Sequence, residues 1–243
     1  PLLFLLKERG VDNGFEIVTD SPAVLADKLK LGDLDLAMIP SVEYLKLADS
    51  YRLVPSMCIA SRGQVGTVLL LAKKPLSEIS SIAVDFRSRT SVVLLKILFP
   101  FSSNLAIHSA PPDPEAMLAD HSAALIIGDQ ALTLGDLDPS LTIYDLSEEW
   151  FRQTGKTFVH AVLAVHQRVV LDHARQSFFQ KVKLEVRGRI KEIVRDDKGS
   201  SGVSSDVLED YLINKIKYDL DEEAMDGLIY FSNLCYEHGI ISK

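Results

Sequence analysis

At 243 residues the chain can hold one large or two modest domains, and 47% hydrophobic with 25% charged residues is ordinary for a protein with a packed core. A net charge of −8 argues against the basic face that a nucleic-acid binder needs, and no apolar run approaches the ~20 residues of a membrane-spanning helix. Cys58 and Cys235, far apart in apolar contexts, make neither a disulfide framework nor a thiolate metal site, and they fit a reduced, cytoplasmic setting.

The first half alternates helix and strand signals. Pro1 to Arg9 reads as a helix stopped by Gly10, and Phe15 to Thr19 as a short strand. Ser21-Pro22 caps a helix from Ala23 to Leu31, ended by Gly32. Leu34 to Ile39 is a strand, and Pro40-Ser41 opens a helix from Val42 to Ala48. Short apolar strands between amphipathic helices point to βαβ units and a mostly parallel sheet.

Near residue 60 the pattern changes. Met57 to Ala60 and Val65 to Lys73 read as strands with only Ser61-Arg62-Gly63-Gln64 between them, as where a chain crosses between two lobes. A fresh series follows: strand Ile82 to Phe86, helix Thr90 to Leu98, strand Leu105 to His108, helix Pro114 to Ala119 and strand Ala123 to Ile127. Leu141 to Tyr144 is a strand, Glu148 to Gln153 a short helix, and Phe158 to Val165 a long strand placed to carry the chain back. From Val169 the chain is helical: Val169 to Arg195, Ser205 to Ile216 and Glu222 to His238. A Gly- and Ser-rich loop from Asp196 to Ser205 separates the first two. The expected architecture is α/β and two-lobed. Residues 1–70 plus 165–243 form a discontinuous first lobe, 71–164 form the second, two crossing strands act as hinge, and the C-terminal part is helical.

Ligands of open α/β sheets bind beyond the carboxyl ends of strands, where helix N-termini converge. Ser88-Arg89-Thr90-Ser91, directly after Asp85-Phe86-Arg87, places four donor side chains where a helix also offers unpaired amides. One such residue suffices for capping; four suggest a grip on a carboxylate. Ser41 stands at a second strand-to-helix turn, where capping and binding both fit. Gly128-Asp129 stands at a third, where glycine permits either close approach to a ligand or a tight turn. Ser61 to Thr67 adds donors and small residues near the hinge, but Gly63 and Gly66 have neither the spacing nor the following helix of a nucleotide fingerprint.

His108, His121, His160, His166, His173 and His238 lack metal-ligand spacing. His160 and His166, six residues apart on one strand, are separated by roughly 20 Å and read as structural or surface histidines. Arg187, Arg189, Lys191 and Arg195 form a basic run that reads as a solvated helix face.

The same turns carry a resemblance. Ile39 to Tyr44, Cys58 to Leu70, Ser88 to Val92, Ile127 to Leu132, Tyr144 to Trp150, Thr157 to Val162 and Tyr211 to Leu228 resemble, in order, motifs of the chorismate dehydratases of menaquinone biosynthesis. The resemblance covers nearly the whole chain. It implies a type II periplasmic-binding-protein-like fold and a lyase that dehydrates chorismate to 3-[(1-carboxyvinyl)oxy]benzoate in the futalosine route, with neither cofactor nor metal. Chorismate, a dicarboxylate, is then the partner, rather than nucleic acid or membrane. Ser88, Thr90 and Ser91 would hold one carboxylate, joined by Arg89 if its side chain turns inward. Ser41, Gly63, Val65 and Thr67 would face it from the other lobe, and Gly128 and Asp129 would lie at the neighbouring strand end. The family's opening strand and Tyr-Leu-Asn-x-x-Pro-like turn would precede Pro1-Leu2. No general base stands out; the substrate's own carboxylate could serve. The sister 1,4-dihydroxy-6-naphthoate synthase and a solute-binding protein for a small anion share the expected fold.

Overall fold

The structure, a computed structural model, describes residues 1–102, 104–134, 138–197 and 202–242. Residues 198–201, in the expected Gly- and Ser-rich loop, lie outside it.

The elements in chain order are α1 (Leu2–Arg9), α2 (Pro22–Leu31), β1 (Leu36–Pro40), α3 (Ser41–Lys46), β2 (Tyr51–Ser61) and β3 (Val68–Ala72). Then come β4 (Ser81–Asp85), α4 (Thr90–Leu98), β5 (Ala106–Ala110), α5 (Pro114–Asp120), β6 (Ala123–Ile127) and α6 (Asp129–Leu132). β7 (Thr142–Asp145), α7 (Leu146–Thr154), β8 (Phe158–His166), α8 (His173–Asp197), α9 (Ser205–Asp210) and α10 (Glu222–Glu237) complete the chain. The strands form two sheets, ordered β1-β8-β2 and β5-β4-β6-β3-β7.

The helix α4 and the strand β6 run where the sequence places them, and α8 is one continuous helix. Two expectations fail. Phe15 to Thr19 has no ladder partner and is not a strand. Phe15 packs on a helix instead, stacked on Phe178 and near Phe179 of α8, at centroid distances of 5.4 and 5.2 Å. Nor is the first sheet parallel. β8 returns between β1 and β2 and pairs antiparallel with both, so the helix-strand alternation of the first half never closes a βαβ unit there. Parallel pairing is confined to β4 with β5 and with β6.

Period-2 alternation sets the core. In the second sheet Leu70, Ile82, Val84 and Leu125 face α4 and α7, while Leu71, Ala83, Ala124 and Ile126 face Met117 of α5 and Ala131 of α6. In the first sheet Leu163 and Val165 face α1 and α8, while Val162 and Ala164 face α2 and α10. Buried Trp150 joins the two halves: its ring centroid lies 5.2 Å from Phe158 of β8 and 6.0 Å from Phe231 of α10. Among the described residues no helix is long and apolar enough to cross a membrane.

Candidate functional site

The two strand-to-helix turns meet. The helices α2, α5, α7, α9 and α10 are each closed by a side chain at their own N-cap. Neither α3, preceded by Pro40, nor α4, preceded by Arg89, has such a cap. Proline offers no oxygen on its side chain, so the cap of α3 comes from elsewhere: the Val42 amide donates to Thr90 Oγ1 at 3.3 Å. Thr90 Oγ1 also lies 3.5 Å from Ser41 Oγ, and both residues are buried. α4 begins with amides that no side chain at its N-cap satisfies. Beside them Ser88 Oγ is sealed from solvent with no partner among the described residues. Ser91 follows in the first turn, half-buried.

The charged residues of this segment are engaged with protein. Asp85, fully buried, accepts from the Arg87 amide at 2.9 Å and from Arg87 Nη2 at 2.6 Å, which pushes the guanidinium pKa up. Arg87 Nη2 also donates to Gln130 Oε1 at 3.0 Å. Arg89 reaches across to Asp27 of α2 through two bonds of 3.0 and 2.6 Å, and to Glu43 of α3 at 3.4 Å. It ties the two turns together from outside.

The crossing segment is fixed by a carboxylate the sequence reading missed. Asp145 Oδ2 accepts from the amides of Val65 and Gly66 at 2.9 and 2.6 Å. Its Oδ1 caps α7 through Ser147 and Glu148 at 3.0 and 3.2 Å. Gly63 takes a left-handed φ of 80°, and a Cβ there would meet nothing within 4 Å. Thr67, buried, donates to the Tyr211 hydroxyl at 3.5 Å, and its carbonyl accepts from the Gly128 amide at 2.9 Å. Gly128 and Asp129 are exposed at the end of β6. A carboxylate at Asp129 opposes an anionic guest, unless a neighbouring cation such as Arg87, which feels its charge, offsets it.

His160 is the second residue the sequence reading passed over. β8 pairs Ala161 with Ile59 and then Val159 with Ala60, so His160 is the extra residue of a β-bulge. A bulge re-aims a side chain, and this one brings Nε2 to 2.9 Å from Ser61 Oγ and 3.3 Å from Ser147 Oγ. Burial, with no charged neighbour acting on the ring, lowers its pKa to about 4. The β1–β8 ladder ends at the pair Pro40 and Ala161, one residue before the bulge at His160. The one sequence signal was a polar side chain inside the apolar run Phe158 to Val165.

The structure thus joins Ser41 to Thr90, sets His160 between Ser61 and Ser147, and holds Val65 and Gly66 through Asp145. A surface concavity of about 650 Å³, lined by Lys183, Asp219 and Met225, shares no residue with this cluster. Among the described residues no three His, Cys, Asp or Glu side chains converge as metal ligands would.

The chain is 29% identical over 234 residues to a chorismate dehydratase of Thermus thermophilus, covering 90% of this chain and 86% of that one. It is similar to the crystal structure of a protein from Archaeoglobus fulgidus, with a TM-score of 0.78, 19% identity, and coverage of 98% of this chain and 94% of that one. The alkanesulfonate-binding protein of Xanthomonas axonopodis pv. citri, bound to MOPS, gives a TM-score of 0.64 at 18% identity, covering 100% of this chain and 91% of that one. The fold is therefore the two-lobed α/β fold of periplasmic solute-binding proteins. The family model for menaquinone biosynthesis matches residues 1–237, and the chain belongs to that family.

Proposed function

We propose that this member of the menaquinone biosynthesis family is a chorismate dehydratase, a lyase that removes water from chorismate to give 3-[(1-carboxyvinyl)oxy]benzoate. The observation that carries the reading is the start of α4, where uncapped amides adjoin the unpartnered hydroxyl of Ser88. A carboxylate there gains charge-assisted hydrogen bonds of ~1.5–3 kcal/mol each, and the helix dipole adds ~0.3–2 kcal/mol.

Ser88, Thr90 and Ser91 hold one carboxylate of the substrate. Ser41 and the Gly63, Val65 and Thr67 segment face it from the first lobe, residues 1–70 plus 165–243. The second lobe is residues 71–164, with Gly128 and Asp129 at its neighbouring strand end. Arg89 acts as a latch between the turns rather than as a ligand to the substrate, because Asp27 and Glu43 engage its guanidinium. The reaction expels a ring hydroxyl and a neighbouring ring proton from chorismate as water, and the aromatic product supplies the driving force, so positioning and anion binding account for much of the rate. The protein works in the cytoplasm, where a biosynthetic enzyme of this pathway meets its substrate.

Alkanesulfonate-binding proteins share the fold, so turnover, not binding, is the deciding readout. Incubated with chorismate, the protein should release a product lighter by one water, followed by mass spectrometry. Chorismate bound and recovered intact would sink the dehydratase reading.

A further inference from the structure

We propose that Tyr211 and Asp129 form a subsite for the ring hydroxyl of chorismate, Tyr211 donating to its oxygen and Asp129 accepting from its O–H. This deepens, and rests on, the dehydratase reading. Thr67 joins the two residues. Its side chain donates to the Tyr211 hydroxyl at 3.5 Å, and its carbonyl accepts from the amide of Gly128, the residue before Asp129, at 2.9 Å. The C-terminal helical part reaches the same place by a second contact: a Cβ on Gly202 would meet Thr133 Cγ2, just after α6, at 3.6 Å. Tyr211 itself opens a π-helical turn, Tyr211–Lys215, closed by the bond from the Ile216 amide to the Tyr211 carbonyl at 3.2 Å. Such turns are rare and occur mostly at functional sites.

Both groups have hydrogen-bonding capacity to spare. The Tyr211 oxygen accepts from Thr67, and no described residue accepts its proton. Burial raises the pKa of Tyr211 and the charge of Asp129 adds to this, with Thr67 opposing, so the hydroxyl stays protonated and remains a donor. Asp129 is exposed, and its carboxylate makes no hydrogen bond or ion pair among the described residues. A hydroxyl both accepts and donates, so it matches the pair, whereas a carboxylate would meet Asp129 as a like charge. The subsite thus accounts for an acidic residue beside a cleft that takes an anion.

The strand ends set this pair across from the start of α4. β6 stands between β3 and β4, with Val68 level with Ile127 and Val84 level with Leu125. The start of β3 and the end of β4 therefore share one edge of the sheet, two strand spacings or about 10 Å apart. In chorismate the ring carboxylate and the ring hydroxyl occupy opposite corners of the ring. With the carboxylate at the start of α4, the hydroxyl projects along that edge toward Asp129 and Tyr211. The product has lost this hydroxyl and forgoes both bonds while keeping both carboxylates. The pair therefore separates substrate from product and favours product release.

The test compares chorismate with 3-[(1-carboxyvinyl)oxy]benzoate, which carries two carboxylates and no ring hydroxyl, on the full chain. In Tyr211→Phe, kcat/KM for chorismate should fall about tenfold or more, while the product inhibition constant stays within about threefold. A merely structural tyrosine would move both. Asp129→Ala removes a charge that repels both dianions alike, so the product should bind as well or more tightly. Its kcat/KM for chorismate, taken relative to that product affinity, should still fall about tenfold or more. Phenylalanine fills the volume of the tyrosine ring and Asp129 is exposed, so both variants should keep the fold. A relative change within about threefold of wild type in either variant, or substrate and product weakened alike, overturns the assignment and leaves the dehydratase reading intact. Wild-type protein that leaves chorismate unreacted overturns both.

Discussion

Thr90 Oγ1 lies 3.3 Å from the Val42 amide, so a threonine at the start of one helix caps another that follows a strand of the other sheet. Thr90→Val keeps the shape and removes the oxygen. It should cost about 1 kcal/mol of stability, the usual value of an N-cap. Thr90→Ser should recover most of it. Urea midpoints of the two variants check this, and equal midpoints would show that the long contact contributes nothing.

Asp145 receives four backbone amides, two from the crossing segment and two from α7. In Asp145→Asn one oxygen becomes an NH₂ that faces donors. Two charge-assisted bonds are lost, and about 3 kcal/mol or more of stability should go with them. Chemical denaturation measures the loss. The same variant should bind product more weakly, because Val65 and Gly66 are no longer fixed.

Arg89 was a candidate carboxylate ligand by sequence, yet its guanidinium meets Asp27 and Glu43. Asp27 is about half exposed, so the pairing is solvent-screened and worth little, about 0.5 kcal/mol. Arg89→Gln should leave KM for chorismate within about threefold, since it removes the pairing with Asp27 and Glu43 and no contact to the substrate. A KM raised tenfold or more would return Arg89 to the site.

His160 makes folding pH-dependent. Its pKa is 6.5 in a model peptide and about 4 when folded, so the unfolded chain takes up the proton first on acidification. Stability is therefore undisturbed above about pH 6.5, falls between that value and about 4, and levels off below. The loss reaches at most about 3 kcal/mol, and partial exposure of the ring reduces it. His160→Asn should flatten the acid limb in urea titrations at pH 7 and 4.5. An unchanged limb would mean the ring is hydrated.

Two helical glycines should respond in opposite directions to alanine. At Gly227 of α10 a Cβ would sit 1.9 Å from the Thr157 carbonyl oxygen, a backbone atom that cannot step aside. Gly227→Ala should cost about 3 kcal/mol or more, at the upper end for overpacking. At Gly188 of α8 a Cβ meets nothing within 4 Å, and Gly188→Ala should stabilise by about 0.5–1 kcal/mol. Thermal melts of both variants decide.

What could be read from the sequence was local. Helix α4 shows in its polar start and apolar run, and β6 in five apolar residues closed by Gly128. Ser41, Thr90 and Val65 were marked because a strand-to-helix turn or a glycine sits beside each. Contacts between distant segments were not legible. Nothing near residue 15 tells that Phe15 will meet Phe178 instead of a strand. Asp145 looks like an ordinary helix cap until the crossing segment, 79 and 80 residues away, docks on it. The bulge at His160 depends on how two long strands register, and register is a property of the pair.

The sealed hydroxyl of Ser88 gives the closed seam a bias that its shape alone does not reveal. A hydroxyl without water or partner costs ~1–3 kcal/mol. That is a factor of roughly 5- to 150-fold in any equilibrium that pairs the group. A guest whose oxygen accepts from Ser88 removes the penalty, so its binding gains by that same differential. A ligand that offers no acceptor to Ser88 forgoes that gain, so the hydroxyl discriminates between guests of the same shape.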